Sequence, residues 1–175
     1  MLASETIILK VALNDIESLR NICIQTFTET FAEHNTKSDM QKYTSDNLNI
    51  KKLTEEFNTI NSEFYFIRFE NKVIGYLKLN SSESQTEFHN DNALEIERIY
   101  VLKEFHGKHI GKLLLEKAID IAKEKQRDYI WLGVWENNEK AIAFYNKHGF
   151  IKYDKHIFKL GNDEQTDIMM KLILN

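Results

Sequence analysis

A chain of 175 residues is most simply one domain, long enough to bury a core of its own. Hydrophobic residues make up 42% and charged residues 29%, an ordinary globular composition, and no apolar run approaches the roughly 20 residues that span a bilayer. The formal charge of −4, from 23 basic and 27 acidic residues, argues against direct nucleic-acid binding, which favours a basic surface, and suits a cationic small molecule. Cys23 is the one cysteine, so an intrachain disulfide and CxxC metal chemistry are excluded, and its helical setting predicts a buried, inert thiol. The six histidines show no HExxH or paired-ligand spacing, and no metal is expected. The opening MLASETIILK lacks the basic stretch and long apolar core of a signal peptide, so a cytoplasmic location is expected.

A first strand precedes a helix predicted over 14–34, where Ile16, Leu19, Ile22, Cys23, Phe27 and Phe31 recur near every 3.6 residues. Residues 38–60 predict one or two further helices, with Ser38 as N-cap and Tyr43, Leu48, Leu53 and Phe57 as apolar positions. EFYFIRF (63–69) and KVIGYLKLN (72–80) predict a hairpin around Glu70-Asn71, and 81–92 reads as a polar loop. A strand over 93–102, a helix over 109–125, a strand over 129–135 and a helix over 138–148 follow. Two strands near 150–160 and 165–173 close the chain. The order β-αα-β-β-β-α-β-α-β-β predicts an α/β fold, a mixed sheet with helices on both faces, in one domain over 1–175.

LEIERIYVLKEFHGKHIG, followed by KLLLEKAIDIAKEK, is the most informative text. A strand breaks at a basic loop that opens into an amphipathic helix with Ile110, Leu113, Leu114, Ala118, Ile121 and Ala122 on one face. The unpaired N–H groups of a helix start, with Lys103, His106, Gly107, Lys108, His109, Gly111 and Lys112 around them, make a seat for a phosphorylated ligand; solvated lysines on an ordinary strand–loop–helix are the plain alternative. Strict alternation along 94–101 places Glu95, Glu97, Ile99 and Val101 on one face of the strand, and Leu94, Ile96, Arg98 and Tyr100 on the other.

Together with YIWLGVWENNEKAIAFYNKHGFI (129–151), this text resembles the GCN5-related N-acetyltransferase (GNAT) superfamily. The later signature is intact as Asn138, Ala141, Tyr145, Gly149 and Phe150. The phosphate loop, Gln/Arg-x-x-Gly-x-Gly/Ala, is degraded: His106 stands at the Gln/Arg position, His109 at the first glycine, and Gly111 matches. LEIERIYV, IWLGVWENNEKAIAFY, QTFTETFAEHN (25–35) and the tail GNDEQTD further resemble the PaiA-type polyamine N-acetyltransferases, a subgroup also described as regulatory.

The resemblance implies a mostly antiparallel sheet whose central strand, 93–102, carries a bulge and splays from its neighbour. It implies acetyl-CoA as donor, with the pyrophosphate on the backbone of His106, Gly107, Lys108, His109, Ile110, Gly111 and Lys112. A helical φ at His109 would leave that loop competent, whereas φ > 0 would strain it. Ile99, Tyr100 and Val101 are implied as main-chain contacts for the pantetheine arm, with Asn138, Tyr145 and Lys147 completing the donor site.

An ammonium with a pKa near ~10.4 must lose a proton before it reacts. Glu97 first and Glu95 second, through water, are the expected bases, about 7 Å apart on a regular strand, and Tyr145 is the expected acid for the leaving thiolate. Glu29, Glu33, Trp135 and Glu136, with Asp39, Phe27 and Phe31 nearby, are expected to receive a polyamine such as spermidine or spermine. A protein amine, an aminoglycoside, or a non-catalytic acyl-CoA-binding regulator are the alternatives, and the subgroup implies a homodimer.

Overall fold

The computed structural model describes residues 5–87, 92–160 and 163–174. β1 (Thr6–Lys10) leads into α1 (Ile16–Phe31), and the 38–60 region forms two helices, α2 (Lys37–Asn47) and α3 (Ile50–Phe57). The caps explain the division. Thr36, not the expected Ser38, accepts the Asp39 N–H at 3.1 Å to start α2, and Asn49 accepts the Lys52 N–H at 2.9 Å to start α3. β2 (Ser62–Phe69) and β3 (Lys72–Ser81) form the expected hairpin, followed by a 3-10 turn at Ser82–Ser84. Residues 88–91 of the expected loop, and Gly161-Asn162 of the tail motif, lie outside the described residues. Next come β4 (Ala93–Val101), α4 (Ile110–Glu124), β5 (Tyr129–Trp135), α5 (Glu139–Lys147), β6 (Ile151–Leu160) and β7 (Asp163–Ile173).

The seven strands form one sheet in the order β1-β2-β3-β4-β5-β7-β6. Every neighbouring pair is antiparallel except β4 and β5, which run parallel. Helices cover both faces. Leu19, Ile22, Phe27 and Leu53 from α1 and α3 pack on Phe64, Phe66 and Tyr76 of the sheet. On the other face Ile110, Leu114, Leu115, Ala118 and Ile121 of α4 pack on Leu79, Leu94, Ile96 and Leu132. Leu113 packs half-buried on that core as expected, and Leu115 joins the buried stripe of α4. β2 lies between the two layers, which is why its text is apolar at successive positions.

Alternation along β4 is not strict. Lys78 pairs with Arg98 and Leu79 with Ile96, so Glu97 is the extra residue of a β-bulge. The bulge moves every later side chain to the opposite face from the one expected. Ile99 and Val101 join Leu94 and Ile96 against α4, while Tyr100 packs in the α1 layer. A one-residue insertion has this effect because side chains alternate with a period of two.

Beyond the bulge β4 and β3 approach closely. A Cβ on Gly75 would stand 2.5 Å from the Tyr100 carbonyl oxygen and 3.2 Å from Val101 Cα, both backbone atoms that cannot rotate away. Gly75→Ala is therefore expected to destabilise the fold by about 1–3 kcal/mol, the range for overpacking, measured as a lower midpoint in urea unfolding. An unchanged midpoint would mean that β4 can shift away from β3.

Candidate active site

β4 and β5 pair only through Ala93–Glu95 with Tyr129–Trp131. From Ile96 onward the strands part, and the β5-facing main-chain groups of β4 have no strand partner. A cleft of about 1140 Å³ opens between them. The start of α4, Asn138 and Tyr145 line it from one side; Glu95, Glu97, Tyr100 and Trp135 line it from the other.

The bulge is held by charges. Glu97 contacts Lys78 Nζ at 2.6 Å and Arg98 at 3.1 Å, and accepts from the Asn80 amide at 2.6 Å. Glu56 of α3 accepts two bonds from Arg98, at 2.9 and 3.1 Å, and one from Lys78 at 2.8 Å. Two carboxylates thus balance two cations in a nearly dry pocket, where an unpaired charge would be strongly unfavourable. Burial pushes the Glu97 carboxyl up, but Arg98 and Lys78 more than offset it and hold it below its usual range.

Glu95, two residues away, pairs with no cation among the described residues. It is 3% exposed and accepts from the Thr86 N–H at 2.8 Å, the Thr86 hydroxyl and the Asn80 amide at 3.0 Å. Burial dominates, reinforced by the Glu97 charge and only partly offset by the Thr86 and Asn80 bonds, and its pKa rises to about 6. Adjacent carboxylates therefore differ in kind: Glu97 is locked as an anion, and Glu95 is poised near neutrality.

At the other wall, α4 begins at Ile110, so the N–H groups of Ile110, Gly111 and Lys112 have no intrahelical acceptor. His109, its N-cap, has φ 63° and ψ 8°, and Gly107 has φ +74°. The left-handed alternative at His109 is the one realised. Histidine tolerates this region better than most residues, though less well than glycine. His106 places its Nε2 2.8 Å from the Val101 carbonyl, tying the loop to the end of β4. Lys112 pairs with Glu116 at 3.4 Å, and Lys108 carries its ammonium 5.0 Å from the Phe105 ring centre without lining the cleft.

Asn138 caps α5 by accepting the Ala141 N–H at 3.2 Å, and its amide NH₂ makes no hydrogen bond among the described residues. Tyr145 is wedged between Phe144 and Phe150, and its hydroxyl makes no hydrogen bond among the described residues. Burial raises its pKa, so it stays protonated across the physiological range. Lys147, the last residue of α5, also borders the cleft.

The expected acceptor residues divide. Trp135, Glu29 and Glu33 line the cleft, as do Phe27 and Phe31. Glu29 accepts the Lys103 backbone N–H at 2.7 Å, and Glu33 lies 3.5 Å from Lys103 Nζ, so both also tie α1 to the loop after β4. Glu136 lies outside the cleft, 4.0 Å from Lys155, in the turn that follows β5. Asp39 is likewise outside, where it helps cap α2 through the Thr36 hydroxyl at 2.6 Å. Asn80, Thr86, Lys78, Glu56, His34 and Asp167 escaped the sequence reading. Each is an isolated polar residue whose neighbours in the site come from other elements, so no local spacing marks it. Among the described residues no three metal-binding side chains converge, and no helix is long and apolar enough to cross a membrane.

A parallel strand pair forced apart by a bulge, with a helix start and a tyrosine at the opening, is the layout of an acetyl-transfer enzyme. The model of the acetyltransferase (GNAT) family matches residues 17–150, and the chain belongs to that family. It is 40% identical over 167 residues, 95% of this chain and 96% of the other, to an uncharacterized N-acetyltransferase of Lactobacillus delbrueckii subsp. lactis. A spermidine N(1)-acetyltransferase of Thermoplasma acidophilum is 26% identical over 166 residues, 93% of each chain. The crystal structure of a PaiA N-acetyltransferase from T. acidophilum in complex with coenzyme A superposes with a TM-score of 0.77. It covers 97% of this chain and 99% of that one at 22% identity, a likeness of fold.

The left-handed N-cap has a measurable consequence. His109→Val puts a β-branched side chain at φ > 0 and is expected to lose about 1–2 kcal/mol, whereas His109→Gly should hold or raise the midpoint of thermal unfolding. Equal stability of the two variants would mean that the loop does not keep this conformation.

Proposed function

We propose that the protein transfers the acetyl group of acetyl-CoA to a primary amine of a polyamine, spermidine or spermine, by direct attack. The observation that carries this reading is the cleft between β4 and β5, with free helix N–H groups at one wall and a buried carboxylate of raised pKa at the other. The N–H groups of Ile110, Gly111 and Lys112, with the backbone of residues 106–109, suit a pyrophosphate. The parted main chain of Ile99, Tyr100 and Val101 suits an amide-bearing pantetheine arm, which replaces the missing strand. Asn138 has an unused amide NH₂ for the same molecule, and Lys147 adds a positive charge near the opening. The name of the full-length T. acidophilum relative supports spermidine as the acceptor class.

In this reading the amine nitrogen bonds to the thioester carbonyl carbon, the carbon–sulfur bond breaks, and two protons move. Glu95 takes the first ammonium proton, through water, before attack; the second, shed by the nitrogen once it is bonded to carbon, replaces the proton that Tyr145 gives to the departing sulfur. Glu95 is placed ahead of Glu97, reversing the order expected from sequence, because a carboxylate held by Lys78, Arg98 and Asn80 is a poor base. Glu97 instead keeps the bulge in shape. A pKa of about 6 leaves Glu95 ionised yet basic at neutral pH.

Because protonation below about 6 removes the base, kcat/KM should fall on the acid side of that value. Glu95→Gln should erase this limb of the pH profile and depress kcat more at neutral than at alkaline pH, where free amine is abundant. A wild-type profile in Glu95→Gln would remove Glu95 from the mechanism.

Tyr145→Phe deletes only the hydroxyl. It should lower kcat by roughly ten- to a thousandfold while leaving coenzyme A affinity by calorimetry nearly unchanged. Wild-type turnover would return Tyr145 to a packing role.

A further inference from the structure

One cleft residue has no part in the chemistry so far. Asp167 of β7 stands opposite Trp135 of β5, and Trp131, four residues before Trp135, is the register partner of Glu95. Period-two alternation puts Asp167, Trp135 and Trp131 on the same face of the sheet. The carboxylate lines the cleft, and no hydrogen bond or ion pair reaches it among the described residues. His156, its register neighbour on β6, directs its Nδ1 to Glu87 instead. Burial alone raises the Asp167 carboxyl to about 6. Asp167 is half-buried, and a carboxylate partly withdrawn from water without a partner is unfavourable, a cost that a cation entering the cleft would relieve.

The surroundings fit a cation. A Cβ on Gly133 would stand 3.3 Å from Asp167 Oδ2, so glycine there keeps the approach open. The Trp135 ring lies alongside, with His34 at 5.1 Å and Phe31 at 6.2 Å between ring centres, giving aromatic surface for methylenes and an ammonium group. The four-residue offset along β5 separates Asp167 from Glu95 by roughly 13 Å along the strands, at about 3.3 Å per residue.

We propose that Asp167, with the Trp135 ring beside it, seats the distal ammonium of an extended di- or triamine acceptor. This rests on the amine-acetylation reading above and locates its second anionic contact. A chain of several methylenes then lies between the two carboxylates, with one nitrogen near Glu95 at the thioester and another at Asp167. A monoamine of the same length leaves Asp167 without a partner.

The test uses the near-isosteric Asp167→Asn and, as a second variant, Gly133→Ala, which crowds the same carboxylate without removing it. Turnover of spermidine is compared with that of its monoamine analogue of equal length, and spermidine is titrated calorimetrically into each protein. Asp167→Asn is expected to raise spermidine KM and Kd, and to lower the preference for spermidine over the monoamine, by about tenfold, the scale of a lost charged contact. Its kcat should change far less. Gly133→Ala should shift the same quantities in the same direction. Thermal unfolding of Asp167→Asn at alkaline pH should not fall below wild type, since a neutral amide replaces an unpartnered carboxylate. Unchanged Kd and preference in a folded Asp167→Asn would overturn the seat; if that variant does not fold, unchanged values in Gly133→Ala would do so. Should wild type acetylate no amine, the acetylation reading fails and the titration still decides: weaker spermidine binding in the variant keeps the seat, and equal or absent binding overturns it.

Discussion

The extra residue in β4 is the constraint from which the rest of the site follows. Glu97 has no register partner on β3, and the strand bends there, just past the three residues that pair with β5. A sheet must keep its backbone groups paired, and one that does not leaves a row of donors and acceptors facing open space. Here that row faces the cleft. The Glu56–Lys78–Glu97–Arg98 group sits at the bend and bridges α3, β3 and β4. Buried ion pairs seldom stabilise more than apolar residues of equal volume. Their value here lies in geometry, since four charges satisfy one another in only a few arrangements and thereby set where β4 turns away.

The same group separates the two carboxylates electrostatically. Glu95 and Glu97 share the Asn80 amide, yet their surroundings push their pKa values in opposite directions. Glu97 is compensated by Arg98 and Lys78. Among the described residues Glu95 receives neutral donors alone, and it feels the Glu97 charge as repulsion. Environment rather than residue type assigns acid–base roles wherever paired carboxylates behave differently. Asn80 is a hinge in this arrangement, because it also accepts from Ser62 at 2.8 Å and is itself fully enclosed.

The loop before α4 shows how a weakened motif can retain its shape. The left-handed turn at residue 109 survives the loss of glycine because histidine pays a modest steric penalty there and His106 ties the loop to Val101. The exposed N–H groups of the first helical turn come from backbone geometry and are indifferent to the side chain. Competence of this wall therefore depends on φ angles that a consensus comparison of side chains does not measure.

Hydrophobic periodicity by itself determined the order of strands and helices, the apolar faces of α1 and α4, and the hairpin of β2 and β3, because these are local properties of spacing. The intact text around Asn138 and Tyr145 marked the family for the same reason. Tertiary structure alone decided which side of β4 each residue takes, since a single inserted residue inverts a period-two pattern without changing composition. It also decided that Glu95 is buried beside neutral donors while Glu97 meets two cations. Those partners come from residues 56, 78, 80 and 86, and only folding brings them within hydrogen-bond range. Glu136 and Asp167 make the same point from opposite sides. One is an acidic residue next to Trp135 that the turn after β5 leaves outside the cleft, and the other lies on a distant strand that the sheet places directly across from Trp135.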